Sequence, residues 1–137
     1  MGQLGVNTVG PSPEVERQLH SLSPAQIEAL YSAGSPILVE SLKGINVEQV
    51  SCGADFTTVI CRVANLNEPH IQPKAEVFAW GNNSSGQLGD GQLPKSNLPL
   101  RVDAFDVLEE EIIQVSCGGS HVLYLTSDRD VISCGSN

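Results

Sequence analysis

VFAWGNNSSGQLGDG (Val77–Gly91) sets a bulky apolar run directly against a cluster of Gly, Asn and Ser. Its GQLG at Gly86–Gly89 repeats the GQLG at Gly2–Gly5. Three readings compete for it: a phosphate-binding glycine loop, a hairpin turn, or one copy of a structural repeat. A nucleotide loop needs G-x-x-x-x-G-K-[ST], or G-x-G-x-x-G opening a helix. Here the lysine is missing, and the QLPKSNLP that follows cannot start a helix cleanly. The glycines are read instead as supplying positive φ and close backbone approach where the chain crosses between repeats.

The repeat extends in both directions from this stretch. QVSCGADFTTVI (Gln49–Ile60) aligns with QVSCGGSHVLYL (Gln114–Leu125), an offset of 65 residues. SPILVESL (Ser35–Leu42) aligns with LPLRVDAF (Leu98–Phe105) at an offset of 63, and VFAWGNN (Val77–Asn83) with VISCGSN (Val131–Asn137) at 54. The mismatched offsets locate two insertions in the first copy, of 21 and 11 residues, and leave an underlying period near 52. Such a period with many short apolar runs signals a propeller or solenoid.

Short runs rich in Val, Ile and Thr, bounded by turn residues, read as strands. In the first copy these are Ile37–Leu42, Val47–Cys52, Thr57–Arg62 and Val77–Trp80. Their counterparts are Leu100–Ala104, Ile112–Cys117, Val122–Thr126 and Val131–Cys134, with TSDRD as a hairpin loop between the last two. Four strands per period is the content of one propeller blade. The spacing therefore predicts an all-β chain: two consecutive four-stranded blades of an incomplete β-propeller, with a short helical insertion.

The expected division runs as follows. Residues 1–11 are the tail of a preceding repeat and 12–34 the helical insertion. Residues 35–80 form the first blade, with a loop insertion at about 64–76, and 81–137 the second, ending inside the next repeat junction. The helix is read from SPAQIEALYSAG: Ser23 as cap, Pro24 in the first turn, Gln26 closing a capping box, Gly34 as stop. Ile27, Leu30 and Tyr31 share its apolar face.

Composition excludes several function classes. Hydrophobic residues make up 40% and charged residues 17%, a globular balance. The net charge of −9, with only 7 Lys and Arg, supplies no basic patch for DNA or RNA. No stretch has the ~20 apolar residues of a membrane span, and no secretion signal is present. MGQLGV lacks the Ser or Thr of a myristoylation start. The expectation is an intracellular protein, cytoplasmic or nuclear. Cys52, Cys61, Cys117 and Cys134 form no C-x-x-C and have no paired His, so no metal site is expected; they are read as small buried apolar residues. No nucleophile elbow, H-E-x-x-H or triad is present, so neither an enzyme nor a cofactor is expected.

In register, W-G-x-N-x-x-G-Q-L-G-x-G and V-x-C-G-x-x-H resemble the repeat of the regulator of chromosome condensation family. The resemblance is strong over Val77–Asn137 and weaker over Gly2–Gly5 and Ile37–Ile60. It implies a β-propeller, commonly of about seven blades. Its repeat positions fall here on Trp80, Gly81, Asn83, Gly86, Gln87, Leu88, Gly89, Gly91, Cys117, Gly118, His121, Gly135 and Asn137. The copies differ: Phe56 stands opposite His121, and Cys134 opposite Trp80. His121 is read as a core histidine holding a turn, not as a base, since no activated Ser or Cys accompanies it.

Two blades alone leave edge strands open, which is an aggregation liability. The expectation is therefore a piece of a longer propeller, or a ring completed by further repeats in the same or another chain. A propeller offers rigid blades and variable loops. The leading function is a non-catalytic protein–protein interaction or scaffold module within a larger assembly. The candidate contacts are Asn67, Glu68 and His70 in the long loop, and Glu109, Glu110 and Glu111 in DVLEEEII. The plain alternative for that Glu run is a solvated face. The resemblance also implies two other readings: a guanine nucleotide exchange factor for a small GTPase, and a chromatin or histone-binding propeller.

Overall fold

The computed structural model describes residues 36–64, 70, 72–91 and 95–137. The expected helical insertion, the first GQLG, Asn67 and Glu68 lie outside these residues.

The alternating runs form two antiparallel meanders. The first sheet has the order β1 (Asn46–Cys52), β2 (Phe56–Val63), β3 (Lys74–Gly81), β4 (Ser96–Arg101). The second has the order β5 (Ile112–Cys117), β6 (His121–Thr126), β7 (Val131–Gly135). The β1–β2 and β5–β6 ladders share a register at the 65-residue offset, including a bulge between Val47 and Gln49 that recurs between Ile112 and Gln114. The repeat read in the sequence is thus a repeat in space, and the sheets are two adjoining propeller-type blades. TSDRD forms the expected hairpin: Thr126 N donates to Asp130 O (2.9 Å), and Arg129 takes a left-handed φ of 76°.

One pair of expected strands is corrected. Ile37–Val39 lies in no strand, and Glu40–Leu42 is a 3-10 turn. Its counterpart Asp103–Val107 is also a 3-10 turn, so Leu100–Ala104 is not one strand. The apolar residues Val39, Leu42 and Ile45, and again Val102, Phe105 and Leu108, recur every third position. That is the period of a 3-10 turn, not of a strand. The Pro99 strand, β4, pairs with β3 and so closes the first sheet. The chain passes from the first sheet to the second between Arg101 and Ile112.

The sheets stack face to face. Phe56, Ile60, Val77 and Ala79 of the first pack against Val115, Val122 and Tyr124 of the second, with Leu88 and Val102 at the side. Each fully buried large apolar side chain contributes roughly 1.5–3 kcal/mol. A second cluster, Val59, Cys61 and Trp80, lies on the other face of the first sheet under Leu42 and Ile45. β2 is consequently buried on both faces, whereas β6 alternates buried and exposed.

At each strand junction the chain passes very close to itself. Gly53 N donates to Phe56 O and Gly118 N to His121 O, both at 2.8 Å. The aromatic ring lies over the glycine, where a Cβ would collide with it. Gly81 and Gly135 sit at φ 112° and 109°, with backbone from the Asp55–Phe56 and Ser120–His121 turns where a Cβ would be. Gly81→Ala should therefore cost on the order of 2–4 kcal/mol, strain plus collision. Gly86→Ala, at φ 75° with open space around its Cβ, should cost only about 1 kcal/mol. Urea midpoints of the two variants check this; equal losses would refute the close-approach account.

Candidate functional site

The glycine-rich stretch folds into a plug around Asn83. The buried Asn83 carboxamide accepts from Leu88 N (3.0 Å) and donates from Nδ2 to Asp90 Oδ1 (2.9 Å). Gln87, also buried, accepts from Ser85 N (2.9 Å), and Leu88 enters the main core. Gly86, Gly89 and Gly91 all have positive φ. Gly89 lies against Cys134 Sγ and Val102, so the loop seals the junction between sheets. In this loop these side chains bond the chain's own turns and core. Among the described residues, no group of three or more His, Cys, Asp or Glu is placed to hold a metal ion.

His121 is exposed, which corrects its reading as a core residue. Its counterpart Phe56 is buried because the second sheet covers that face of the first; among the described residues the matching face of the second sheet is exposed. Cys52 is exposed as well, unlike the expectation for a small apolar core residue, because it sits on the outer edge strand β1. Trp80 packs in the second cluster, while Cys134 is half-buried beside the main core.

The acidic segment is built by the second 3-10 turn and the residues that follow it. Val102, Phe105 and Leu108 point inward; Phe105 meets the Tyr124 ring edge-on at 4.7 Å. Two arginines of the first sheet then hold the outward carboxylates. Arg101 bonds Asp106 through Nη1 (2.8 Å) and Nη2 (2.6 Å), and also pairs with Asp103 and with Glu76 (3.0 Å). Arg62 Nη1 meets Glu111 Oε2 at 2.7 Å while its Nε reaches Glu48 at 3.1 Å. Exposed pairs of this kind are individually worth less than about 1 kcal/mol, but forked and shared geometry fixes orientation.

The expected contact residues therefore divide. Glu111 is engaged by Arg62 and ties the two sheets together. Glu110 is half-buried beside Lys74, Arg101 and Phe105. Glu109 and His70 are exposed. Between the two arginine anchors stands Val107, 85% exposed. Sequence reading missed Val107, Arg62 and Arg101. Their only signal was a lone basic residue at the end of each strand that meets the acidic run.

Arg101 holds the Asp106 carboxyl below its ordinary value of 3.8. A depressed folded-state pKa contributes stability above the unfolded value and loses it as pH falls through the folded one. Wild type and Arg101→Gln should thus differ in melting temperature at neutral pH and converge below 3.8. A gap independent of pH would refute the pairing. Burial pushes Cys61 and Cys134 up to about 11. Alkylation of the native chain at neutral pH should label exposed Cys52 first; early labelling of Cys61 would contradict the packing.

Known proteins share this arrangement. The Regulator of chromosome condensation (RCC1) repeat matches residues 74–125. Over 102 residues the chain is 39% identical to serine/threonine-protein kinase Nek9 of Xenopus laevis, taking in 73% of this chain and 9% of that protein. Over 103 residues it is 36% identical to the probable E3 ubiquitin-protein ligase HERC6 of Homo sapiens, 74% of this chain and 9% of that one. The crystal structure of human WBSCR16 matches with a TM-score of 0.53 at 28% identity, covering 69% of this chain and 23% of that chain. The chain thus spans under a quarter of the length of each. With its repeat, glycine junctions and stacked sheets all in register, the chain carries the regulator of chromosome condensation (RCC1) repeat and is similar to proteins that contain it.

Proposed function

We propose that the chain is a non-catalytic scaffold module, part of a larger propeller or assembly, that binds a protein partner through its acidic segment. The observation carrying this reading is the arginine-anchored stretch 103–111, which presents Val107 between exposed acidic side chains. A rigid apolar point with a charged rim suits a partner with a small apolar pocket edged by Lys or Arg. Two relatives named for unrelated activities, a kinase and a ubiquitin ligase, match this chain over only 9% of their lengths. That is the pattern of a shared binding part rather than of a shared reaction centre. A setting inside the cell fits the same reading.

The test is a photo-crosslinking residue at position 107, followed by identification of the adduct across a salt series. Capture should fall steeply as salt rises and be lost in Glu109→Lys, with circular dichroism unchanged. Capture indifferent to both salt and Glu109→Lys would refute a charge-rimmed contact.

A further inference from the structure

The β6–β7 hairpin lifts a serine into solvent beside the acidic segment. Of all the Ser and Thr in the sequence, Ser127 alone is followed by an acid at the first and third positions, in Ser127-Asp128-Arg129-Asp130. All four residues are exposed. Acids just beyond a hydroxyl suit a protein kinase whose substrate groove is basic, by charge complementarity. The turn is closed by Thr126, which accepts from Arg129 N (3.1 Å) at its carbonyl and from Asp130 N (3.1 Å) at its hydroxyl, and donates its own amide to Asp130 O (2.9 Å). Within it Arg129 takes a φ of 76°, strained for a residue with a side chain. That strain favours the opened turn that a kinase must bind.

Ser127 is also joined to the acidic segment. Its amide donates to Glu111 O (2.9 Å), and its hydroxyl accepts from Glu111 N (3.4 Å). The same hydroxyl donates to Asp128 Oδ1 (3.4 Å). Glu111 is the residue that Arg62 holds from the first sheet, at 2.7 Å. The serine oxygen thus bonds the backbone of the residue whose carboxylate ties the segment to the first sheet.

We propose that Ser127 is the acceptor of an acid-directed protein kinase, and that its phosphoryl ester loosens Glu111 from Arg62. In the transfer the Ser127 oxygen bonds the γ-phosphorus of ATP. The bond from that phosphorus to the bridging oxygen breaks, its electron pair leaves on ADP, and the hydroxyl proton passes to a carboxylate of the kinase. The ester has no hydrogen left to give Asp128, so that contact becomes repulsive. It also brings about −1.5 to −2 charges beside Glu111, which like-charge repulsion drives away. Arg62 also holds Glu48 (3.1 Å) and keeps that partner when Glu111 withdraws. The inference concerns how the acidic segment is held, and it stands whether or not that segment binds a partner.

The test treats the folded chain with ATP and a purified acid-directed serine/threonine kinase, with a base-directed kinase as control. One phosphoryl group should appear under the first kinase and not under the second, mapped to Ser127 by peptide mass. Asp130→Asn keeps the backbone bonds of the turn and should slow labelling by about tenfold or more. No label at Ser127, label on the unfolded chain only, or a rate indifferent to Asp130→Asn overturns the acceptor site.

Melting temperature reads the second half. Phosphorylation should lower it in wild type, and by less than about half as much in Glu111→Gln, which has no carboxylate to repel. Equal losses in the two overturn the link to Glu111, as does a gain in wild type. Where Glu111→Gln fails to fold, Arg62→Gln removes the same pair from its other end and should blunt the loss in the same way.

Discussion

The second sheet stands against the first because an edge strand cannot be buried with its amides unpaired. Each orphaned buried N–H costs about 1–3 kcal/mol, comparable with the gain from one apolar side chain. Gln49 and Ser51 remove that cost for Val115 and Cys117 by supplying side-chain oxygens at the spacing of alternate strand residues. With those groups satisfied, Ile60, Val77 and Tyr124 can close over one another as an apolar layer. The stacking of blades is thus polar at the β1 and β5 edges and apolar across the rest of the sheets. Neither part suffices alone, since the apolar faces would bring the sheets together in many registers and the two polar side chains select one.

The asymmetry between the two blades follows from neighbours, not from composition. The same ladder register, glycine junctions and 3-10 turn occur in both. Yet β2 is buried on both faces and β6 on one. Phe56 lies under a sheet while His121 meets solvent. An aromatic residue and a titratable one occupy equivalent positions because a flat ring over glycine is what the backbone demands, and its polarity is decided by what lies above it.

Much of this was legible in the sequence. Short runs rich in Val, Ile and Thr between turn residues gave β1, β2, β5, β6 and β7 close to their observed bounds, and the glycine stretch was read as part of a repeat, as the family match has it. The failures have physical reasons. Ile37–Leu42 and Leu100–Ala104 were assigned to strands because short apolar runs invite it; the spacing Val102, Phe105, Leu108 held the contrary signal of a three-residue period. Which sheet β4 joins is a matter of how the chain leaves Gly81, and alternation within a strand carries no information about that. Gln49 and Ser51 were visible as repeated letters, QVSC twice, but what a polar residue on a strand reaches across to cannot be read from one strand. The acidic run was seen; that Arg62 holds it was not, because that pair joins residues 49 apart in sequence, and the Arg101 pairs with Asp103 and Asp106, though local, depend on how the 3-10 turn folds back.

The bonds that join the blades link Gln49 to Val115 and Ser51 to Cys117, 66 residues apart in each case. Every ladder within a sheet, by contrast, joins neighbouring strands of an unbroken meander. During synthesis the first sheet can complete its own pairing once Arg101 has emerged, while its Phe56–Ile60–Val77 face still has no cover. That cover arrives with β5 and β6, some 25 residues later at Thr126. At a synthesis rate of about 5–20 residues per second, the face stands open for seconds, far longer than a hairpin needs to form. The polar clamp on β1 therefore has a temporal role: it keeps the edge of an uncovered sheet hydrated and selective until the matching strand leaves the ribosome.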